Sequence, residues 1–159
     1  MLRNAQQKFG NSIGKLPLSD TTSPKSTVLH EFKDDPEALE LCCQTAVMGA
    51  LSGMQEEVRT IIRFLELVFP NRLKVMMTRA FCEMSFGKIA ENAVWLRDVV
   101  VPAHPESMFA KAYQNFAEVL SGQTLKTDLL KEAVLKGTDV EREFAEHALG
   151  VLAKAGYAV

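Results

Sequence analysis

The sequence is poor in the features that mark several large functional classes. It has three cysteines, an odd number, and Cys42 and Cys43 are adjacent. That pattern does not suggest a disulfide framework, so a reducing cytosol is the expected setting. No apolar run approaches the roughly 18–20 residues of a membrane helix. Residues 1–8 hold no stretch of the length a Sec signal needs. Nor is there a basic excess: 18 Lys plus Arg face 20 Asp plus Glu, a formal net charge of −2. A dedicated nucleic-acid binder needs a positive surplus to neutralise phosphates. The chain is expected to be a cytosolic domain that neither binds nucleic acid nor inserts stably into a membrane.

Recognisable catalytic and ligand-binding patterns are missing as well. Residues 10–15 read Gly-Asn-Ser-Ile-Gly-Lys, with one residue too few between the glycines and Leu16 where a P-loop needs Ser or Thr. His30, His104 and His147 are scattered, and none lies near a cysteine, so no zinc-ligand spacing arises. His30-Glu31 has no second histidine one turn later, which removes the metalloprotease pattern. Cys82 sits between Phe81 and Glu83 with no neighbouring histidine and reads as a small buried hydrophobe rather than a nucleophile. Glu56 and Glu57 open a helical pattern and suit the positive end of its dipole better than acid–base work. Trp95 reads as core packing rather than a stacking platform. No catalytic, cofactor or metal residue is assigned, and no enzyme is expected.

What is present is helical periodicity. At 47% hydrophobic and 24% charged residues, the chain can build a core. Residues 1–34 are expected to form a flexible arm. Gly10, Gly14, Pro17 and Pro24 interrupt every short apolar pattern there, and residues 19–27 are loop-forming. Residues 1–30 carry Arg3, Lys8, Lys15 and Lys25 against Asp20, a local charge of +4 − 1 = +3. From Asp35 the texture changes. Asp35-Pro36-Glu37 supplies a cap acceptor, a first-turn proline and an N-terminal carboxylate. Leu39, Cys42, Cys43, Ala46, Val47 and Ala50 then recur at helical spacing. Segments of the same periodicity follow at about 54–68, 72–86, 88–100, 106–120, 125–136 and 139–155. The valine run at 99–101 is the best strand candidate, but it continues a helical pattern and ends at Pro102. The fold class is all-α.

An internal period is also legible. Gly53, Gly87 and Gly122 are 34 and 35 residues apart, each between two helical segments, where a helix-terminating left-handed residue belongs. Ala46 and Ala80 lie seven positions before the first two glycines, where antiparallel helices would cross closely. Pro70 and Pro105 close the first two units. This register resembles the tetratricopeptide repeat in a degenerate form: helix, turn at glycine, second helix, proline. The consensus tryptophan and tyrosine are absent. The units are expected at 42–71, 74–105 and 109–137, followed by a C-terminal capping helix at 139–155 that ends before Gly156, so the repeat domain spans 35–156. The second unit holds one extra residue after its turn. The third has Asn115 at the small-residue position and lacks the closing proline.

One helical segment is apolar nearly all round: Leu73, Val75, Met76, Met77, Ala80, Phe81, Cys82, Met84 and Phe86. Such a helix must be buried on more than one side. Register matching predicts a concave groove that receives an amphipathic helix. Val47, Ala50 and Leu51 would come from the first unit, Met77, Phe81 and Met84 from the second, and Ala112, Phe116 and Val119 from the third. The same residues read equally well as ordinary core, covered by the last helix.

Residues 53–58, 69–70, 84–88 and 112–122 carry a family resemblance, which extends over about 37–137. The chain resembles the type III secretion chaperones of tetratricopeptide-like fold, nearest the needle-subunit chaperones and the plant-pathogen pilus-associated proteins. The resemblance implies a non-catalytic chaperone in the bacterial cytoplasm. It would hold the amphipathic helix of a needle or pilus subunit and prevent premature polymerisation, with room for a second small co-chaperone. Two further readings stand beside it. The chain is a generic helical-repeat scaffold or homodimeric adaptor without an export role. Or it is itself exported, its polar signal-free residues 10–27 serving as a type III signal.

Overall fold

The computed structural model describes residues 35–159. The expected arm lies outside the described residues, and with it residues 10–15, His30 and the signal-like stretch 10–27. Among the described residues seven helices form and no strand. They are α1 (Pro36–Leu51), α2 (Gln55–Val68), α3 (Leu73–Ser85), α4, α5 (Met108–Leu120), α6 (Asp128–Lys136) and α7 (Asp139–Lys154). Helix α4 begins as Ile89–Trp95, passes through one π-helical turn at Leu96–Val100, and continues as Val101–Ala103.

Local chemistry sets the helix ends. The Asp35 carboxylate accepts from the N–H groups of Glu37 and Ala38 at 2.9 and 3.0 Å, satisfying two orphan donors at the start of α1. Ser107 caps α5 by accepting from the Ala110 N–H at 3.1 Å. At the other ends, α1, α3, α5 and α7 all stop in the same way. Gly53, Gly87, Gly122 and Gly156 have φ between +74° and +88°. In α1 the Met54 N–H bonds the Gly49 carbonyl and the Gly53 N–H bonds that of Ala50. The same two bonds recur at Gly87, Gly122 and Gly156. This is the Schellman arrangement, and its left-handed residue is why glycine stands there.

The first two of these turns are three residues long and fold α1 on α2 and α3 on α4. The third link, 121–127, is longer. Asn115 secures it from inside: its amide donates to the Lys126 carbonyl at 2.9 Å and its carbonyl accepts from the Leu130 N–H at 3.3 Å. An asparagine therefore stands where the other two units have Ala46 and Ala80, because it also pins the start of α6. The extra residue of the second unit is absorbed by the π turn, where the Val101 N–H bonds the Leu96 carbonyl five residues back. The helix was expected to end at residue 100, but it continues past Pro102 to Ala103. The π turn has already broken the regular bonding ladder that the proline would have disrupted.

The core is a series of three clusters, each walled by three consecutive helices. Cys43, Ala46, Val58, Ile62 and Leu65 of α1 and α2 meet Val75 and Cys82 of α3. Met76, Met77 and Ala80 of α3 meet Ala93, Leu96 and Val100 of α4, and Ala110, Tyr113 and Ala117 of α5. Ala112 and Val119 of α5 meet Leu130 and Ala133 of α6, and Ala145, Ala148 and Leu152 of α7. Helix α7 is tied back by a capping box. Its Glu141 carboxylate accepts from the Thr138 N–H at 2.8 Å and from the Phe109 N–H at 3.0 Å.

Two predictions follow from these ends. Gly87→Ala meets no atom within 4 Å of the added Cβ, so its cost is the left-handed backbone alone, about 1–2 kcal/mol. A thermal melt is expected to fall by about 4 °C per kcal/mol, and Gly87→Asn should recover part of the loss. The Glu141 carboxyl is held below its ordinary pKa, first by the Thr138 N–H and then by the Thr138 hydroxyl and Phe109 N–H, with partial burial opposing them. Its stabilisation is therefore full above the unfolded value of about 4.3 and lost as pH falls through the lower folded value. Glu141→Gln should cost about 1 kcal/mol at pH 7. Denaturant titrations of the two proteins should converge as the pH falls below about 4.

Candidate functional site

Helix α3 is the centre of the candidate surface because it serves two cores at once. Val75 and Cys82 face the preceding hairpin, while Met76, Met77 and Ala80 face α4 and α5. Ala80 and Ala46 are completely buried, as expected for a close helix crossing. The Asn92 amide adds a bond to the Ala80 carbonyl at 2.9 Å. The Cys82 thiol donates to the Ala46 carbonyl at 3.6 Å.

The nine residues predicted to line a groove divide into three groups. Ala50, Met77, Ala112 and Val119 are buried in the core clusters. Val47, Phe81, Met84 and Phe116 are half-buried; Phe81 rests on the first cluster, Met84 on the second and Phe116 on the third. Leu51 is largely exposed. Met77 is core because the second apolar face of α3 packs against the following helices, leaving only its edge at the surface. Matching the Schellman glycines puts Val47, Phe81 and Phe116 at one register position. Each of the first three odd-numbered helices thus presents a half-buried apolar side chain at the same place.

Phe116 belongs to a larger aromatic group. Its ring meets that of Phe144 edge-on at 6.1 Å, and Phe144 lies 5.0 Å from Phe109 and 5.5 Å from Tyr113. Such pairs contribute about 0.5–1.5 kcal/mol beyond area burial. Burial pushes the Tyr113 hydroxyl well above its ordinary pKa. Phe109 and Phe144 were not among the predicted residues. The usable signal was Phe144 at helical spacing with Ala148 and Leu152, which marks the inner face of α7.

A concavity of about 180 Å³ lies between α2 and α3 and is lined by Ile62, Arg63, Glu66, Arg79, Cys82 and Phe86, among others. Arg79 is already committed there. Its guanidinium pairs with Glu66 at 2.8 Å and stacks over the Trp95 ring at 4.3 Å. Trp95 is half-buried against the second cluster under that cation, so Arg79 joins α2, α3 and α4. Lys74 pairs with Glu40 between α3 and α1. His104 Nε2 lies 3.0 Å from the Asn71 carbonyl, joining the two links that precede α3 and α5.

No family model, curated protein or solved structure matches the chain. Among the described residues no three His, Cys, Asp or Glu side chains gather as a metal site would require, and no helix is long and apolar enough to cross a membrane. The Cys82 thiol is pushed up to about 11, chiefly by burial and then by Glu83 and Cys43. Cys43 is raised too, chiefly by burial. A thiolate at either position is disfavoured at neutral pH, which counts against a nucleophile. With a thiol-reactive chromophore at pH 8, half-exposed Cys42 should label in the native protein. Cys43 and Cys82 should label only in denaturant, and fast native labelling of all three would refute this assignment.

Proposed function

We propose that the chain is a non-catalytic binding protein for an amphipathic helix, acting as a cytoplasmic chaperone of a type III secretion needle or pilus subunit. The observation that supports the reading is the half-buried apolar row Val47, Phe81 and Phe116, one residue per hairpin at one register position, with Met84 beside it. A row of this kind offers ridges spaced for an apolar helical stripe, and Met and Phe can repack around different anchors. The secretion role is supported by the resemblance in residues 53–58, 69–70, 84–88 and 112–122. Holding the subunit's helix there replaces contacts that it would otherwise make with its own copies.

The test is co-purification of tagged protein from its native cytosol, with mass spectrometry of what remains bound. A small helical secretion subunit in stoichiometric amount is expected. Phe81→Glu should keep the helical circular dichroism signal and lose the bound subunit by at least tenfold. Met77→Glu should unfold the protein, because a buried unpaired carboxylate costs several kcal/mol. If Phe81→Glu also unfolds, the row is packing and the groove is lost. If only this chain is recovered, as a dimer by light scattering, the scaffold reading replaces the chaperone.

A further inference from the structure

Arginine is unevenly placed in this molecule. Residues 35–159 hold six arginines, and three of them, Arg59, Arg63 and Arg79, line the concavity between α2 and α3, whereas none of the seven lysines does. Most of the charge there is already matched. Glu66 holds Arg79 at 2.8 Å. The Glu83 Oε2 is enclosed, with Lys88 Nζ 2.9 Å away, and presents nothing to a ligand. Arg59 pairs with Glu56 at 2.8 Å, but the Glu56 side chain is 82% exposed, and a bridge of that kind is weak. Arg63 lines the same space with no ion-pair or hydrogen-bond partner among the described residues. Arg59 and Arg63 are four residues apart on α2, which sets their Cβ atoms about 5–6 Å apart on one face. Like charges so placed repel, and an anion between them removes the repulsion. The remaining lining is apolar: Val58, Ile62 and Cys82 are buried and Phe86 is half-buried.

We propose that this concavity binds a monocarboxylate with an aromatic or branched aliphatic body, the carboxylate held between Arg59 and Arg63 and the body against Val58, Ile62 and Phe86. Charge selects the anion. With Glu56 and Lys88 counted, four cations meet three anions, +4 − 3 = +1, which matches one carboxylate, and the planar guanidinium fork pairs with that group bidentately. Volume selects the body. A cavity of about 150 Å³ takes a benzene ring, and this one is about 180 Å³. Arg79, held by Glu66 and stacked on Trp95, is a fixed wall. Val47, Phe81 and Phe116 do not line the space, so the assignment stands apart from the helix-binding reading. Such a group is either a free acid or the last residue of a peptide.

Titration of the full chain with phenylacetate at pH 7, followed through its backbone amide resonances by NMR, tests this. Saturable shifts confined to residues 58–66 and 79–86 are expected. Arg63→Gln, at an exposed position, should leave the rest of the spectrum in place and weaken binding at least tenfold. Uncharged phenylacetamide should bind the unaltered chain at least tenfold more weakly than phenylacetate. Acetyl-glycyl-phenylalanine with a free carboxylate separates the two sources: tighter binding than phenylacetate assigns a chain terminus, weaker binding a free acid. Equal binding of phenylacetamide, undiminished binding by Arg63→Gln, or shifts that never saturate would overturn the proposal.

Discussion

The constraint on which this structure depends is that α3 and α5 are each shared between two cores. A hairpin of two helices encloses only two walls of an apolar cluster, and the third wall is the first helix of the next unit. Val75 and Cys82 close one cluster while Met76, Met77 and Ala80, on the same helix, open the next. Ala110, Tyr113 and Ala117 do the same against Ala112 and Val119 on α5. Stability in such an arrangement is carried from neighbour to neighbour rather than held in one centre. The composition of the shared helices follows directly. They cannot spare a wide polar face, and at their crossings they need small residues, hence Ala46 and Ala80 at zero exposure.

The sharing works only if each helix reaches the next at a fixed angle and height, which is what the turns control. Four helix ends use one hydrogen-bond pattern around a left-handed glycine. Where the spacing departs from 34 residues, the departure is absorbed locally. The additional residue of the second unit goes into the π turn of α4, leaving Leu96 and Val100 both fully buried. The longer link of the third unit is held by the two bonds of Asn115. In both cases the core contacts stay in register and the irregularity is confined to the backbone.

Much of this was legible in the residues. Helical period, the cap at Asp35 and the glycine spacing lead to an all-α chain with turns at Gly53, Gly87 and Gly122. The spacing reading placed one extra residue after the turn at Gly87, whereas the backbone departs from a regular helix later, in the π turn at Leu96–Val100, which periodicity does not reveal. Pro102 looked like a stop because the rule against proline assumes an unbroken ladder. The surface was harder. All-round apolarity in α3 has two physical causes, a groove on one side or a second core, and periodicity is identical in both. Met77 and Phe81 are therefore equivalent on paper, yet one is core and the other is an edge. Only the position of the next helix separates them. Phe144 escaped for the same reason, since a capping helix read alone gives no hint that its aromatic ring completes a cluster begun on α5.

Two apolar features meet on α1 among the described residues. Val47 and Met48 are consecutive, so they are about 100° apart around the helix. Val47 continues the half-buried row with Phe81 and Phe116, whereas Met48 continues the stripe that elsewhere forms the seam between units. Leu51 lies on the border of the two. Leu41 and Met48 therefore face a different direction from Val47. In the row, Phe81 and Phe116 already rest on the first and third clusters, so only their outer edges face away from the core. The end stripe differs, because the equivalent positions Val75, Cys82, Ala110 and Ala117 in α3 and α5 are buried as fully as any in the molecule.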